Sequence, residues 1–488
     1  MTANSAQNNT LLTDLYQLTM AAGYLASGLD DTQTSFTISF RENPFDGGFA
    51  IMCGLADVAD YLENWRLSDD DIAYLRTLNA ADGTALFPEP ALRQLADLRL
   101  DCEIAAIPEG TPVFARDPLL RVTGSLVSCQ LVETTLLNII NFQTLIATKA
   151  ARCYLAAQGA PILEFGLRRA QGPDGGLSAS RAAYIGGCSA TSNVAAGRRY
   201  DIPVAGTHAH SWVMAHESEQ AAFDAWLRTA PNNTVLTVDT YDTLQGVERA
   251  IVAARALRER GGSFAGIRID SGDLAWLSVR AREMLDAAGF TDAKIIASND
   301  LDEYTIASLI EQGAAIDTWG VGTRLVTADG QPSLGGIYKM TAIRDGNQGE
   351  YKPRIKVSEQ ASKTTTPGLQ GLRRYYRDGK PVGDMIYDLQ HPPAGGVDVT
   401  MVDPADMTRR KSFAADTDSA ELLQPFFADG DVVAVPHTPA ELRANTLIGL
   451  DSLDATHKRL LRPHSYPVGL EQQLYDTHLA LIKDIKQL

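Results

Sequence analysis

Glu164-Phe165-Gly166-Leu167-Arg168-Arg169-Ala170-Gln171-Gly172-Pro173-Asp174-Gly175-Gly176 ends an apolar run in two arginines and a glycine-rich turn. A parallel strand that stops here opens onto the crevice where α/β folds, barrel or open, hold their ligands. Guanidinium groups stay charged at any working pH and donate in pairs to carboxylate or phosphate, so Arg168 at such a point suits an anion. Taken alone, the same residues also read as a surface turn with solvated arginines. The remainder of the chain decides between the two.

From Gln130 onward, apolar runs at 161–165, 202–205, 234–238, 264–269, 293–297 and 315–321 alternate with helical patterns at about 131–158, 178–199, 217–229, 241–260, 273–288 and 302–313. This alternation predicts consecutive βα units with parallel strands, and six or more of them build a barrel or a large open sheet. Five further strand ends read Gly206-Thr207-His208-Ala209-His210-Ser211, Asp239-Thr240-Tyr241-Asp242, Arg268-Ile269-Asp270-Ser271-Gly272-Asp273, Ser298-Asn299-Asp300 and Trp319-Gly320-Val321-Gly322-Thr323-Arg324. Each closes on polar groups or glycine, and that recurrence favours a ligand site over a run of generic loops.

Before this region the pattern is α+β: a polar tail over 1–10, a helix over 11–25 capped by Thr13 or Asp14, a strand over 36–40, helices at about 54–66, 68–79 and 88–98, then strand-rich sequence to Val122. After about residue 345 the chain turns rich in Lys, Thr, Pro and Gly, and it finishes in a helix over 471–485. The stretch 358–370 reads equally as a lid or as an exposed linker.

A chain of 488 residues exceeds the size at which one core keeps growing, so two domains are expected. The formal charge of −17 argues against nucleic acid or an anionic membrane as partner, because both need a basic face; any phosphate site must be local. Five scattered cysteines with no Cys-x-x-Cys pair fit buried thiols in a cytoplasmic protein. The first ten residues lack a basic and an apolar signal region, and the apolar segment 131–147 carries Glu133, Asn138, Asn141 and Gln143, which disqualifies it as a membrane span.

The strand ends also carry chemistry. Arg268, Asp270 and Asp273 put a cation and two carboxylates at one turn, suited to Mg²⁺ or ribose hydroxyls, while Ser271 or Asp273 caps the helix that follows. Gly320 and Gly322 allow backbone N–H groups to approach a phosphate beside Thr323. His208 and His210 share a strand face; with oxygen ligands dominating elsewhere, one histidine acting as acid, base or nucleophile is preferred to a zinc pair, the other being structural.

With these residues in view, the chain resembles the nicotinate phosphoribosyltransferase family over nearly its whole length. The likeness is carried by Leu12-Thr13-Asp14-Leu15-Tyr16-Gln17-Leu18-Thr19-Met20-Ala21, Asn43-Pro44-Phe45-Asp46-Gly47-Gly48-Phe49, and the stretches 133–141, 147–152, 165–176, 204–211 and 268–273. The resemblance implies a type II phosphoribosyltransferase: an irregular α/β barrel over 129–345 beside an α+β domain assembled from 11–128 and 346–488, working as a homodimer with a shared site. It implies that nicotinate displaces pyrophosphate from 5-phosphoribosyl 1-pyrophosphate, with Mg²⁺ present and ATP as co-substrate.

By the same resemblance, Phe165 stacks on the pyridine ring, Tyr16 covers its other face from the partner subunit, and Arg168 and Arg268 hold anionic groups. His210 matches the transiently phosphorylated histidine. Asp270 and Asn299 contact ribose or Mg²⁺-pyrophosphate; Ser298, Gly322 and Thr323 hold the 5′-phosphate, with Thr240, Asp242 and Gly320 in the substrate-binding set. Asn193 stands where nicotinamide-specific relatives place an aspartate, and a neutral amide there tolerates the nicotinate carboxylate. The rival readings are a nicotinamide phosphoribosyltransferase, which Asn193 and Arg168-Arg169 oppose, and a catalytically silent homologue.

Overall fold

The structure is a computed structural model describing residues 10–359 and 364–487. The expected tail, apart from Thr10, and residues 360–363 of the expected lid lie outside the described residues. The chain forms two compact units, one from Met1–Thr144, Ser333–His437 and Ile448–Leu488, the other from Leu145–Pro332 and Thr438–Leu447. The changeovers between the units fall at 144/145 and 332/333, and residues 438–447 return to the second unit.

The first unit is built on antiparallel sheets. Strand Gln33–Phe40 lies between Leu120–Ser125 and Gly336–Arg344 in a seven-stranded sheet, with Phe36 stacked on Tyr338 at 4.7 Å between ring centres. In a six-stranded sheet of the same unit, Arg374 holds Asp384 bidentately at 2.8 and 2.6 Å and Tyr466 donates to the same carboxylate at 2.8 Å. The first helix is Leu15–Ala26; Asp14 stands at its N-cap, but its carboxylate accepts from Thr134 rather than from the helix.

The second unit holds a parallel sheet of six strands in the order Ala190–Thr191, Ile162–Glu164, Thr318–Val321, Lys294–Asn299, Gly266–Ile269, Val235–Thr237. Strands 162–164, 266–269, 294–299 and 318–321 contribute Ile162, Ile267, Ile269, Ile295, Ala297, Trp319 and Val321 to the buried core. Helices Thr243–Glu259, Leu274–Ala287 and Glu303–Glu311 follow their strands, each capped by an aspartate (Asp242, Asp273, Asp302) that accepts a backbone N–H of the first turn.

Two expectations fail here. Residues 202–205 form no strand beyond the single bridge Thr191↔Val204. The expected helix 178–199 is two helices, Gly172–Ile185 and Val194–Tyr200, with the edge strand Ala190–Thr191 between them. Gly187 has φ +127°, a conformation that side-chain-bearing residues avoid, and this stops the first helix. The helix Pro439–Ser452 was not foreseen because its apolar residues form no one-sided stripe; its Arg443 binds the carbonyls of Cys188 and Gly187 at 2.8 and 3.1 Å.

A buried ion cluster ties helix Glu133–Ala156 to the 303–311 helix. Glu303 pairs with Lys149 at 2.7 Å and accepts a hydrogen bond from Arg152 Nε at 2.8 Å, and Arg152 also donates to Tyr304 at 2.9 Å. The sequence motif at 147–152 therefore serves the interior. Among the described residues no helix is long and apolar enough to cross a membrane, and all five cysteines are buried thiols.

Candidate active site

Parallel pairing sets Arg268 level with Ile296 and Thr237, and Ser298 level with Gly320, so polar side chains from neighbouring strands converge at one sheet end. Arg268, whose side chain is 14% exposed, donates from Nε to Ser298 Oγ at 2.7 Å, from one terminal nitrogen to Thr207 Oγ1 at 3.1 Å and from the other to Asp270 Oδ1 at 3.0 Å. Ser298 Oγ also donates to Asp270 Oδ1. Burial acts to raise the Asp270 carboxyl, but the Ser298 hydrogen bond and the Arg268 charge outweigh it and hold the group below the usual aspartate range. The result is a fixed cation braced by an ionised carboxylate.

His210 opens the short helix His210–Met214. Its Nδ1 hydrogen-bonds with Thr240 Oγ1 at 3.1 Å, while Nε2 stands 3.8 Å from Asp270 Oδ2 and 4.0 Å from Asp239 Oδ1. Asp239 Oδ2 accepts from Asp270 N at 2.9 Å and Ser271 Oγ at 2.6 Å, whereas its buried Oδ1 has no hydrogen-bond partner among the described residues. The Thr240 contact fixes the imidazole ring so that Nε2 faces the space between two carboxylates.

His208 has a different role. It is 4% exposed, its Nε2 accepts Thr237 N at 3.2 Å, its Nδ1 lies 3.3 Å from Ala209 O, and it packs edge-on against Trp226 at 5.1 Å. Burial pushes its pKa down, so it is a neutral structural histidine.

Phe165 follows the 162–164 strand and is half-buried, with the Arg268 guanidinium 5.5 Å from its ring centre. A Cβ at Gly320 would lie 2.9 Å from Phe165 Cδ2 and Cε2, and one at Gly322 would lie 3.2 Å from Phe165 O; both glycines make room for this residue. Arg168 is exposed in the 3₁₀ turn Leu167–Arg169, and among the described residues its side chain has no ion-pair or hydrogen-bond partner. Thr323 begins the four-residue helix Thr323–Val326. Asn299 closes its strand at φ +136°, an unfavourable conformation for a residue with a side chain and of the kind that concentrates at functional sites.

Three further expected residues, Asn193, Asp242 and Tyr16, have these surroundings. Asn193 is 1% exposed: Oδ1 accepts Ala196 N at 3.2 Å, capping the 194–200 helix, and Nδ2 donates to Gly176 O at 3.2 Å and Ser180 Oγ at 3.1 Å. That amide is consumed inside the protein, so the argument for acid over amide loses its direct contact. Asp242 is exposed and caps the 243–259 helix through Gln245 N at 2.9 Å. Tyr16 belongs to the other unit, where it is 47% exposed on helix Leu15–Ala26.

Residues 11–141 match the nicotinate phosphoribosyltransferase (NAPRTase) N-terminal domain, 161–380 the nicotinate phosphoribosyltransferase (NAPRTase) family and 370–478 the nicotinate phosphoribosyltransferase C-terminal domain. The Bacillus subtilis nicotinate phosphoribosyltransferase is 40% identical over 480 residues, covering 98% of this chain and 96% of its own. The human nicotinate phosphoribosyltransferase is 34% identical over 524 residues, with 95% of each chain covered. The chain belongs to the nicotinate phosphoribosyltransferase family. The crystal structure of human nicotinic acid phosphoribosyltransferase superposes with a TM-score of 0.83 at 31% identity, covering 96% of this chain and 99% of that one. A nicotinate-nucleotide pyrophosphorylase from Pyrococcus furiosus shares the fold at TM-score 0.69 and 18% identity, covering 93% of this chain and 97% of that one.

In this cluster of strand-end residues, sequence reasoning did not single out Asp239 or Thr207. Asp239 and Thr207 stood in the strand-end motifs, but only the three-dimensional placement of an orphaned carboxylate oxygen beside His210 singles Asp239 out.

Proposed function

We propose how this member of the nicotinate phosphoribosyltransferase family, an enzyme of pyridine-nucleotide synthesis, carries out its reaction. The nicotinate ring nitrogen attacks C1′ of 5-phosphoribosyl 1-pyrophosphate as the C1′–O bond to pyrophosphate breaks, giving nicotinate mononucleotide. The transition state is an oxocarbenium-like ribose with a departing anion, so the protein mainly needs to orient the ring and stabilise negative charge. Phe165 carries one face of the pyridine ring, and Arg168 and Arg268 hold anionic groups. Asp270 and Asn299 serve ribose and pyrophosphate, and Ser298, Gly320, Gly322 and Thr323 the 5′-phosphate.

The observation that carries the reading is His210 Nε2, held through Thr240 and flanked by Asp270 and Asp239 at 3.8 and 4.0 Å next to the Arg268 clamp. His210 Nε2 takes the γ-phosphoryl group of ATP as its bond to the β-phosphate oxygen breaks and ADP leaves; water later cleaves the P–N bond and releases phosphate, which couples ATP hydrolysis to transfer. The hard oxygens of Asp270 and Asp239, including the orphaned Oδ1, suit Mg²⁺ arriving with pyrophosphate or ATP. When bound, the ion neutralises charge on the departing group.

We read the six-stranded parallel sheet as the wall of an irregular barrel, and the enzyme as a cytoplasmic homodimer with Tyr16 supplied from the partner subunit. Leu12, Leu15, Tyr16 and Met20 are all exposed around the first helix, 57%, 51%, 47% and 37% respectively, which is an apolar face suited to a second copy. The test is to supply phosphoribosyl pyrophosphate and Mg²⁺, with and without ATP, and compare nicotinate with nicotinamide. Product from nicotinate, raised by ATP, is expected. Product from nicotinamide alone would overturn the substrate assignment, and none from either would leave a silent homologue.

A further inference from the structure

Glu164 is the last residue of the 162–164 strand, directly before Phe165, and it is 1% exposed. Among the described residues no Lys, Arg or His pairs with it. Hydrogen-bond donors face its buried oxygens instead: Gly166 N on Oε1, and Ser180 Oγ at 3.0 Å and Thr191 Oγ1 at 2.5 Å on Oε2. Glycine at 166 is needed for this, since a Cβ there would lie 2.9 Å from Glu164 Oε1 and 2.6 Å from Val326 Cβ.

One branch of hydrogen bonds has a fixed direction: Thr191 Oγ1 accepts Asn193 N at 3.0 Å and donates to Glu164. Ser180 Oγ accepts Asn193 Nδ2 at 3.1 Å and faces two acceptors with its one proton, Gly176 O at 2.8 Å and Glu164 Oε2 at 3.0 Å. Asn193 in turn caps the 194–200 helix, and the Glu164 carbonyl accepts Ser192 N at 2.9 Å. A carboxylate, which only accepts, is the group that fits the end of such a relay; a glutamine would bring N–H donors into an array of donors.

We infer that Glu164 is a positioning residue for nicotinate: by ending this relay it locks the turn bearing Phe165 and Arg168 to the edge carrying Thr191 and Asn193. This rests on the proposed function, in which Phe165 holds the pyridine ring. It predicts a kinetic signature that loss of folding would not give, because the relay braces the nicotinate side while Arg268, Asp270 and Ser298 brace one another independently.

The experiment compares Glu164→Gln and Thr191→Val with the wild type in steady-state synthesis of nicotinate mononucleotide. Glu164→Gln is expected to raise KM for nicotinate by about tenfold, the scale of a charge-assisted hydrogen bond, while KM for phosphoribosyl pyrophosphate changes by less than about twofold. Thr191→Val keeps shape and carboxylate and should reproduce the split at about threefold; it decides the matter if Glu164→Gln does not fold. Equal rises in both KM values, or unchanged KM values with only a lower Tm, would overturn the inference and leave the function standing. A wild type that makes no product from nicotinate would overturn the function, and the inference with it.

Discussion

Gly320→Ala isolates the fit between strand and ring on which the proposed pyridine site depends. The added Cβ would lie 2.9 Å from both Phe165 Cδ2 and Cε2 and 3.1 Å from Ser298 Cβ. Carbon atoms rest at about 3.5–4.0 Å, so the ring or the methyl must retreat by roughly 0.6–1 Å. Gly320 sits mid-strand, paired with Ser298 and Leu163, so the backbone resists and the half-buried ring moves. A reacting ring displaced by about 1 Å loses on the order of 30- to 100-fold in rate, or about 2–2.7 kcal/mol of transition-state stabilisation. The assay is kcat/KM for nicotinate at saturating phosphoribosyl pyrophosphate, with thermal unfolding alongside. Gly322→Ala, whose Cβ meets Phe165 O at 3.2 Å, serves as the milder comparison and should lose less. A Gly320→Ala enzyme within twofold of wild type would refute the placement of the pyridine ring on Phe165.

His210→Ala should abolish ATP stimulation and acid-labile labelling from γ-labelled ATP, yet keep slow ATP-independent synthesis; labelling that persists would move the phosphoryl acceptor elsewhere. Asp239→Asn removes the charge of the orphaned oxygen beside His210 and should lower the ATP-stimulated rate by at least about tenfold with little loss of Tm, read from stimulated against unstimulated turnover. Because the Asp270 carboxyl is held below its ordinary value, its contribution to stability is complete above the unfolded pKa of about 3.9 and is lost as pH falls through the lower folded value. The Tm difference between wild type and Asp270→Asn should therefore be flat from about pH 8 to 5 and shrink below about 4; a difference already shrinking near pH 6 would contradict it. Glu303→Ala strands Lys149 and Arg152 in the interior without their carboxylate and should cost about 3–5 kcal/mol by denaturant unfolding, without a selective effect on either substrate.

The parallel sheet was legible because fully buried strands read as apolar runs and their helices start on aspartate caps. Asp273 shows how one motif divides: it caps its helix through Trp276 N at 3.0 Å, while Arg268 and Asp270, two residues apart and so on one face, turn into the site. What failed were short or mixed elements. The two-residue strand 190–191 is too brief to show alternation, and the 439–452 helix lacks a stripe because its apolar residues are spread around it. The role of Lys149 and Arg152 was not legible in sequence, since nothing nearby in the chain reveals that Glu303, more than 150 residues on, pairs with both.

Asn193 shows the limit of reading chemistry from residue type. A neutral amide at a position associated with substrate choice suggests contact with the substrate carboxylate, but an asparagine before a helix is also a preferred cap, and the second use prevails here. Its side-chain amide donates to Gly176 O and Ser180 Oγ, and its backbone N–H donates to Thr191 Oγ1, which passes the link to Glu164, the residue that holds Gly166. Any influence of position 193 on acid against amide therefore travels through the turn that carries Phe165 and Arg168. On that account Asn193→Asp would put a second carboxylate one hydroxyl away from buried Glu164, replacing the donor that Ser180 now accepts. The expected result is a loss of stability together with a raised KM for nicotinate, measured by Tm and steady-state kinetics. A gain of nicotinamide turnover at unchanged Tm would instead restore direct contact between residue 193 and the substrate.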